Sequence, residues 1–180
     1  GGYLTTFRGG TVFWSSSTGA KALRGSILAR YVAHGGPKVL GYPTTDDVKA
    51  VGGAKAELQG GAIYWSAATG AHVVRGEILA RWRQLGAETG RLGYPTGDDT
   101  AVSGGSRSAF RGGTIWWSPT TGVRVVESPA AEAYADLGGP TSYLGFPTRD
   151  TRAVAGGRRT DFQGGYLLVA ADGEVSAHRN

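Results

Sequence analysis

The chain has 180 residues, with 32 glycines, no cysteine, no methionine and a formal net charge of +5. Without cysteine, neither a disulfide framework nor a thiolate metal site is possible. No charged-then-apolar leader and no apolar run near the length of a membrane span is present, so we expect a mature fragment with no membrane span. The positive charges are dispersed along the sequence, which predicts only weak attraction to an anionic surface.

A glycine pair between two β-rich runs recurs along the chain and predicts a hairpin each time. The pairs are Gly9-Gly10, Gly60-Gly61, Gly112-Gly113 and Gly164-Gly165. The strand after each pair has β-branched and aromatic residues on both faces, so both faces should be covered. A second tight turn and a short run follow, and a strand before the first turn completes a small antiparallel β-meander.

Helical periodicity follows each of the first three meanders. Ile78, Leu79, Trp82 and Leu85 define one apolar helix face, and Gly86 stands where a C-terminal cap is expected. The other two helices are predicted from Ile27, Leu28 and Tyr31 up to Gly35, and from Pro129, Ala130, Tyr134 and Leu137 up to Gly138. Three helices of about ten residues are therefore predicted.

Each helix is followed by a turn whose sequence recurs in all three copies, which we call the LGxP segment. It reads LGYPTTDD in 40–47, LGYPTGDD in 92–99 and LGFPTRD in 144–150, a spacing of 52 residues. A fixed period of this length indicates one supersecondary unit copied in tandem. We predict a single domain of units 1–51, 52–103, 104–155 and a partial fourth, 156–180, with an α+β repeat fold packed as a closed, propeller-like ring or a short array.

These segments resemble the LGFP repeat, a tandem module of actinobacterial cell-envelope proteins that is often attached to a mycoloyltransferase or a peptidoglycan hydrolase. Only the third segment matches that name letter for letter. The resemblance implies a secreted or cell-envelope location and an attached catalytic domain in the parent chain. It also implies a non-catalytic module that binds cell-wall polysaccharide, either arabinogalactan or peptidoglycan.

Recurrent aromatic residues are the first candidates for glycan contact. Trp14, Trp65 and Trp117 stand at equivalent positions, and a flat amphipathic ring suits the apolar face of a sugar. Tyr42 and Tyr94 in the LGxP segments are further candidates, with Phe146 at the third position. For all of them, packing in the core is the competing interpretation.

Recurrent polar residues are the second set of candidates. Asp46, Asp98 and Asp150 could accept sugar hydroxyls, or could accept backbone N–H groups and lock the turn. Arg8, Gln59 and Arg111 share one hairpin position suited to polyol or phosphate contacts, although a solvated turn residue would look the same. Two other positions attract less interest because they change in the third copy: Arg24 and Arg75 become Glu127, and Asp47 and Asp99 become Thr151.

The sequence contains no constellation that indicates catalysis. His34, His72 and His178 lie at non-equivalent positions without a nucleophile motif, and no phosphate-binding loop is present. The paired aspartates offer too few ligands for calcium, so no metal or cofactor is expected. We expect a carbohydrate-binding module that is not an enzyme. The alternatives are a structural or protein-interaction array, and less readily a nucleic-acid binder or a hydrolase.

Overall fold

A computed structural model describes all 180 residues of the chain. They form fifteen strands in four antiparallel sheets, and within each sheet the strands are neighbours in chain order, as predicted.

The strands of the four sheets have the following bounds. The first sheet contains β1 (Gly2–Phe7), β2 (Gly10–Ser15) and β3 (Gly19–Leu23). The second contains β4 (Val48–Ala50), β5 (Gly53–Leu58), β6 (Gly61–Ser66) and β7 (Gly70–Val74). The third contains β8 (Thr100–Val102), β9 (Gly105–Phe110), β10 (Gly113–Ser118) and β11 (Gly122–Glu127). The fourth contains β12 (Arg152–Val154), β13 (Gly157–Phe162), β14 (Gly165–Ala170) and β15 (Val175–Arg179).

The three predicted helices are present and slightly shorter than expected. They are α1 (Gly25–Ala33), α3 (Gly76–Gln84) and α4 (Ala130–Asp136). The loops that follow them hold short helical turns that were not predicted: α2 (Pro37–Leu40) and the 3-10 helices Ala87–Thr89 and Gly139–Thr141. The α+β repeat fold is thus confirmed, with the helix of each unit placed between sheets.

Each helix packs on the sheet of the following unit. Helix α1 contacts β6 and β7, α3 contacts β10 and β11, and α4 contacts β14. Consequently the apolar side chains form three clusters, one at each junction between consecutive units. The fully buried centres of these clusters are the helix aromatics Tyr31, Trp82 and Tyr134.

The LGxP segment joins the two sheets at each junction. In the first junction, the backbone N–H of Gln59 donates to Tyr42 O at 3.0 Å and that of Gly60 donates to Leu40 O at 2.9 Å. The N–H of Thr44 donates to Glu57 O at 2.8 Å. Strand β4 pairs only with the first half of β5, so the LGxP segment continues the sheet edge along the second half.

A helix aromatic fixes the turn of each LGxP segment. The Tyr31 hydroxyl donates to Gly41 O at 2.6 Å, Trp82 Nε1 to Gly93 O at 3.1 Å, and the Tyr134 hydroxyl to Gly145 O at 2.5 Å. The three glycines have φ between 64° and 67°, in the left-handed region that disfavours a side chain. Hence one buried donor per unit ties the helix to a turn that requires glycine.

In the other three sheets, an LGxP segment and the helix of the preceding unit cover one side. The corresponding side of the first sheet is not covered. Phe7 is 59% exposed, whereas its equivalents Leu58, Phe110 and Phe162 are 6%, 5% and 3% exposed. No hydrogen bond or ion pair joins the first sheet to the fourth. The hydrogen bonds and ion pairs between sheets therefore follow chain order.

Replacing Tyr134 by Phe tests the buried hydroxyl. The change leaves Gly145 O without its donor inside the third core. We expect the free energy of unfolding to fall by about 1–2 kcal/mol in urea titrations. The control Tyr3→Phe removes a hydroxyl from a side chain that is 76% exposed and should change stability by less than about 0.5 kcal/mol. Equal stability of the two variants would show that the Tyr134 bond contributes nothing.

Stability should also decrease in alkaline solution. Burial raises the pKa of Tyr31 and of Tyr134 well above the ordinary value of 10.0. Because the folded pKa exceeds the unfolded one, this contribution is complete below pH 10 and is lost as the pH rises past that value. Urea titrations from about pH 9 to about pH 11 should show the decrease. It should be shallower in the double variant Tyr31→Phe/Tyr134→Phe.

Candidate functional site

The first aspartate of each LGxP segment closes the edge of the preceding sheet. Asp46 Oδ1 accepts a hydrogen bond from Ala22 N at 2.8 Å, and the N–H of Asp47 donates to Ala22 O at 3.1 Å. Asp98 Oδ1 and Asp150 Oδ1 likewise accept from Val73 N and Val125 N, both at 2.9 Å. The N–H groups of the residues that follow them, Asp99 and Thr151, donate to Val73 O and Val125 O. Of the two roles that the sequence suggested, the three carboxylates accept backbone N–H groups. Their contact with a sugar hydroxyl stays a prediction.

Two of these aspartates also bind an arginine from the helix of the previous unit. Arg30 Nη1 donates to Asp98 Oδ2 at 2.9 Å, and Arg81 Nη2 donates to Asp150 Oδ2 at 2.5 Å. Arg30 Nε additionally donates to Ala71 O at 2.8 Å. These ion pairs cross from one unit to the next and fix the distance between helix and turn.

The aromatic residues of the LGxP segments contribute mainly to packing. Tyr94 and Phe146 are only 7% and 8% exposed, and Tyr42 is half-buried. The Tyr94 hydroxyl donates to Val51 O at 2.8 Å, and burial, followed by the Glu88 and Tyr64 charges, raises the pKa of Tyr94. The ring of Tyr94 lies over Gly53, where a Cβ would come within 2.7 Å of its hydroxyl. Tyr94 is therefore a core residue here.

The recurrent tryptophans are divided between core and surface. Trp65 and Trp117 are half-buried, with one part against the core of the preceding junction. Their remaining surface lines a cavity at that junction. Trp14 lies in the first sheet, is 42% exposed, and stacks on Tyr3 with ring centroids 5.8 Å apart.

Two equivalent cavities, which we call the junction pockets, contain these tryptophans. The first has a volume of about 290 Å³ and is lined by Arg24, Asp47 and Trp65. The second has a volume of about 390 Å³ and is lined by Arg75, Asp99 and Trp117. In both, the arginine precedes the helix, the aspartate is the second of its LGxP segment, and the tryptophan comes from the next sheet. Each pocket therefore exists only where two units meet.

The arginine and aspartate of the second pocket form a closed pair. Arg75 Nε and Nη2 donate to Asp99 Oδ2 at 3.3 and 3.2 Å, and Ser108 Oγ donates to Asp99 Oδ1 at 3.4 Å. The pair brings two donors, two acceptors and no net charge to the edge of an aromatic ring. Glu77 also lines this pocket, so its charged residues sum to −1. The pocket thus offers polar contacts and does not favour an anionic ligand.

The first pocket has the same groups in a looser arrangement. Arg24 Nη1 lies 3.6 Å from Asp47 Oδ1, which has no hydrogen-bond partner. Ala56 replaces Ser108 beneath this carboxylate. The Arg24 side chain is 58% exposed, compared with 34% for Arg75, so its guanidinium is freer to turn toward a ligand.

The third junction has no such pocket because three of its residues differ. Glu127 replaces the arginine, Thr151 replaces the aspartate, and Val169 replaces the tryptophan. Arg158 occupies the space: its Nη1 donates to Glu127 Oε2 at 3.0 Å and its Nη2 to Ser128 O at 2.9 Å. The chain therefore has junction pockets at its first two junctions, and at the third junction Arg158 fills the equivalent space.

The shared hairpin position serves two different purposes. Gln59 Oε1 accepts from Tyr42 N at 2.7 Å and Gln163 Oε1 accepts from Phe146 N at 2.8 Å, so both glutamines clasp an LGxP turn. Arg8 and Arg111 are exposed, and neither guanidinium makes a hydrogen bond or an ion pair within the chain. None of these four residues lines a junction pocket, so their role in binding stays a prediction.

Sequence reasoning gave least weight to the residues that complete the pockets. Arg24, Arg75, Asp47 and Asp99 attracted less interest because the third copy does not retain them. The signal that could have identified them is that arginine, aspartate and tryptophan are all replaced in the same copy.

The fold and its junction pockets define a tandem α+β repeat protein in which each pocket is built by two neighbouring units. The LGFP repeat family matches residues 1–38, 40–90 and 92–142, and the chain belongs to this family. The second and third matched ranges each begin at the first residue of an LGxP segment, twelve residues before the predicted units 52–103 and 104–155. A comparison with curated proteins finds no match.

Two further observations describe the surface. None of the helices has the length and apolar character needed to cross a bilayer. No three histidine or acidic side chains lie close enough together to hold a metal ion.

Replacing Asp98 by Ala tests the structural role of the first aspartate. The change removes the acceptor of Val73 N and the partner of Arg30. We expect the free energy of unfolding to fall by about 2–3 kcal/mol in urea, because a charge-assisted bond is lost and a partly buried donor is left unpaired. Asp98→Asn retains an oxygen acceptor and should lose roughly half as much. An unchanged urea midpoint for Asp98→Ala would contradict the role.

Proposed function

We propose that the chain is a non-catalytic module that binds a neutral cell-envelope glycan in its two junction pockets. The observation that carries the proposal is the repetition of arginine, aspartate and tryptophan in both pockets, together with their joint replacement at the third junction. If Trp65 and Trp117 served only to pack the core, an apolar residue at each position would be sufficient. Packing alone would not require an arginine and an aspartate beside each tryptophan ring.

The chemistry of a pocket suits a sugar. Pyranose and furanose rings have an apolar face, which can lie on the free part of the Trp65 or Trp117 ring, and hydroxyls that both donate and accept. The arginine donates and the aspartate accepts, so one hydroxyl can bridge them. A cavity of 290 to 390 Å³ holds one or two sugar units.

Binding by shallow sites of this kind gains from repetition. A single millimolar site supplies only about −4 kcal/mol. Two sites on one rigid array that bind the same polymer can gain on the order of 10² in avidity. The inter-unit ion pairs of Arg30 and Arg81 hold the units at a fixed spacing, which favours this gain.

Of the two envelope polymers, arabinogalactan agrees better with pockets that have no excess of positive charge. Peptidoglycan is the other candidate, and its peptide carboxylates would require an excess of basic groups. The family membership supports a location in the cell envelope and an attached enzyme. Both are part of this proposal.

The proposal also includes the arrangement of the units. We propose that a short array is the arrangement that binds, since each junction pocket needs only the two units that form it. A closed ring is the alternative. It would need a contact between the fourth sheet and the exposed strand β1.

A structural or protein-interaction array is the second candidate function. It is favoured by the exposed apolar side chains of the first sheet, where Tyr3, Leu4 and Phe7 are 76%, 58% and 59% exposed. In that case the pockets would remain empty. The experiment below separates the two functions.

Trp117→Leu tests the second pocket, because leucine keeps an apolar contact with the core but removes the ring. Binding to protein-free actinobacterial cell wall should weaken about tenfold, and the double variant Trp65→Leu/Trp117→Leu should lose on the order of 10². Trp14→Leu is the matched control: it changes the same strand position in a sheet without a junction pocket. It should bind like the parent chain.

The wall should be tested before and after mild acid removes the arabinogalactan, at low and high salt. Salt-resistant binding that disappears on stripping supports arabinogalactan, and binding that survives indicates peptidoglycan. No binding to either wall, or equal losses in Trp117→Leu and Trp14→Leu, would reject the proposed pockets.

A further inference from the structure

A further large cavity lies beside the second junction pocket. It has a volume of about 660 Å³ and lies between helix α3 and the third LGxP segment. We call it the basic groove because four arginines line it: Arg81, Arg124, Arg149 and Arg152. The charges that are dispersed in the sequence are thus gathered here by the fold, and the sequence-based expectation of dispersed charge does not hold at this surface.

The basic groove is particular to the third LGxP segment. The residues equivalent to Arg124, Arg149 and Arg152 at the second segment are His72, Gly97 and Thr100. At that position His72 and His34 approach Asp98 instead, with Nδ1 atoms 3.5 and 3.7 Å from its carboxylate oxygens. Conservation of the repeat fold does not require arginine at these three places, since the second copy folds without them.

Not all of the charge in the basic groove is neutralised within the chain. Arg81 is paired with Asp150, and Arg124 donates to the carbonyls of Thr148 and Val123 at 2.7 and 2.8 Å. Arg149 is exposed, its backbone N–H donates to Asp161 O at 3.4 Å, and its guanidinium makes no hydrogen bond or ion pair within the chain. Its guanidinium is therefore available to a ligand.

Arg152 is only partly satisfied. Its Nη2 donates to Asp161 Oδ2 at 2.7 Å, but its Nη1 is shielded from solvent and has no partner. A shielded donor without an acceptor is costly, and such a donor is satisfied by an ordered water, an ion or a ligand oxygen. Arg149 and Arg152 also line a neighbouring cavity of about 340 Å³, together with Arg159. The two cavities form a track with five arginines and three carboxylates (Glu77, Asp150 and Asp161), a net charge of +2.

We infer that the basic groove binds the anionic oxygens of an acidic glycan, with Arg149 and Arg152 as the residues that contact them. Carboxylate and phosphodiester groups share the chemistry that arginine recognises. The remaining lining residues include Gln84, Thr148 and Thr151, which suit the hydroxyls between successive anionic groups. This site shares only Glu77 with the second junction pocket, and it does not depend on the proposed neutral glycan.

A glycan fits the basic groove better than a nucleic acid does. Single-stranded nucleic acids are bound by aromatic platforms along a basic track. No aromatic residue lines the larger cavity, and Phe162 in the neighbouring one is 3% exposed. Bases would therefore find nothing on which to stack.

The test compares the whole chain with Arg149→Thr/Arg152→Thr, which introduces the residues that the repeat itself carries at Thr45 and Thr100. The matched control is Lys38→Thr/Lys49→Thr, which removes two exposed charges far along the sequence from the basic groove. The probes are polygalacturonate for carboxylate, poly(glycerol phosphate) for phosphodiester, neutral arabinan and poly(dT). Affinities are measured by biolayer interferometry at about 50 mM salt, where exposed charges are only partly screened.

We expect the parent chain to bind at least one of the two anionic polymers, and the arginine variant to bind it about tenfold or more weakly. The lysine control should stay within about twofold. Which polymer binds identifies carboxylate or phosphate as the group recognised. The inference is overturned if the parent binds neither polymer, if the lysine control loses as much as the arginine variant, or if poly(dT) binds more tightly than both. Trp117→Leu should leave anionic binding unchanged, so that failure at one site is distinguishable from failure at the other.

Discussion

The hydrogen bond from a buried helix aromatic to the glycine carbonyl of the LGxP segment is the contact on which the rest of the repeat depends. It fixes the turn against the helix, and both then pack as one surface on the next sheet. Tyrosine and tryptophan differ in shape, yet Tyr31, Trp82 and Tyr134 each place a donor at the equivalent glycine carbonyl of their LGxP segment. The requirement is therefore a donor on a large apolar body, which explains why tyrosine and tryptophan alternate and phenylalanine is absent.

Because each core combines the helix and sheet of one unit with the sheet of the next, no unit is complete by itself. The apolar clusters lie at junctions, the inter-unit ion pairs of Arg30 and Arg81 cross them, and the LGxP segment is bonded to the sheets on both sides. Stability is then a sum of nearest-neighbour terms, as in other repeat proteins. The same arrangement places every junction pocket between two units, so a binding site appears only when the chain repeats.

Periodicity was sufficient to predict the meanders, the three long helices and the repeating unit, because these depend on local apolar patterns and glycine turns. It did not predict which aspartate faces the pocket. Asp98 and Asp99 are neighbours in sequence, but one accepts the N–H of Val73 and the other faces Arg75 and Trp117. That difference is set by the direction in which the chain leaves the turn, and only the fold shows it. Nor did the sequence reveal the basic groove, whose arginines come from α3, β11, the third LGxP segment and β12.

The third junction shows how one fold can change a binding surface without changing its core. Replacing Arg, Asp and Trp by Glu127, Thr151 and Val169 leaves the helix, the turn and the sheet in place. Arg158 then fills the space and neutralises Glu127, which also binds Arg91 Nε at 2.6 Å. On the other side of the same LGxP segment, three positions have become arginine. The core tolerates these changes because backbone hydrogen bonds and the buried Tyr134 hold this junction together. Surface chemistry can therefore differ from unit to unit while the repeat stays intact.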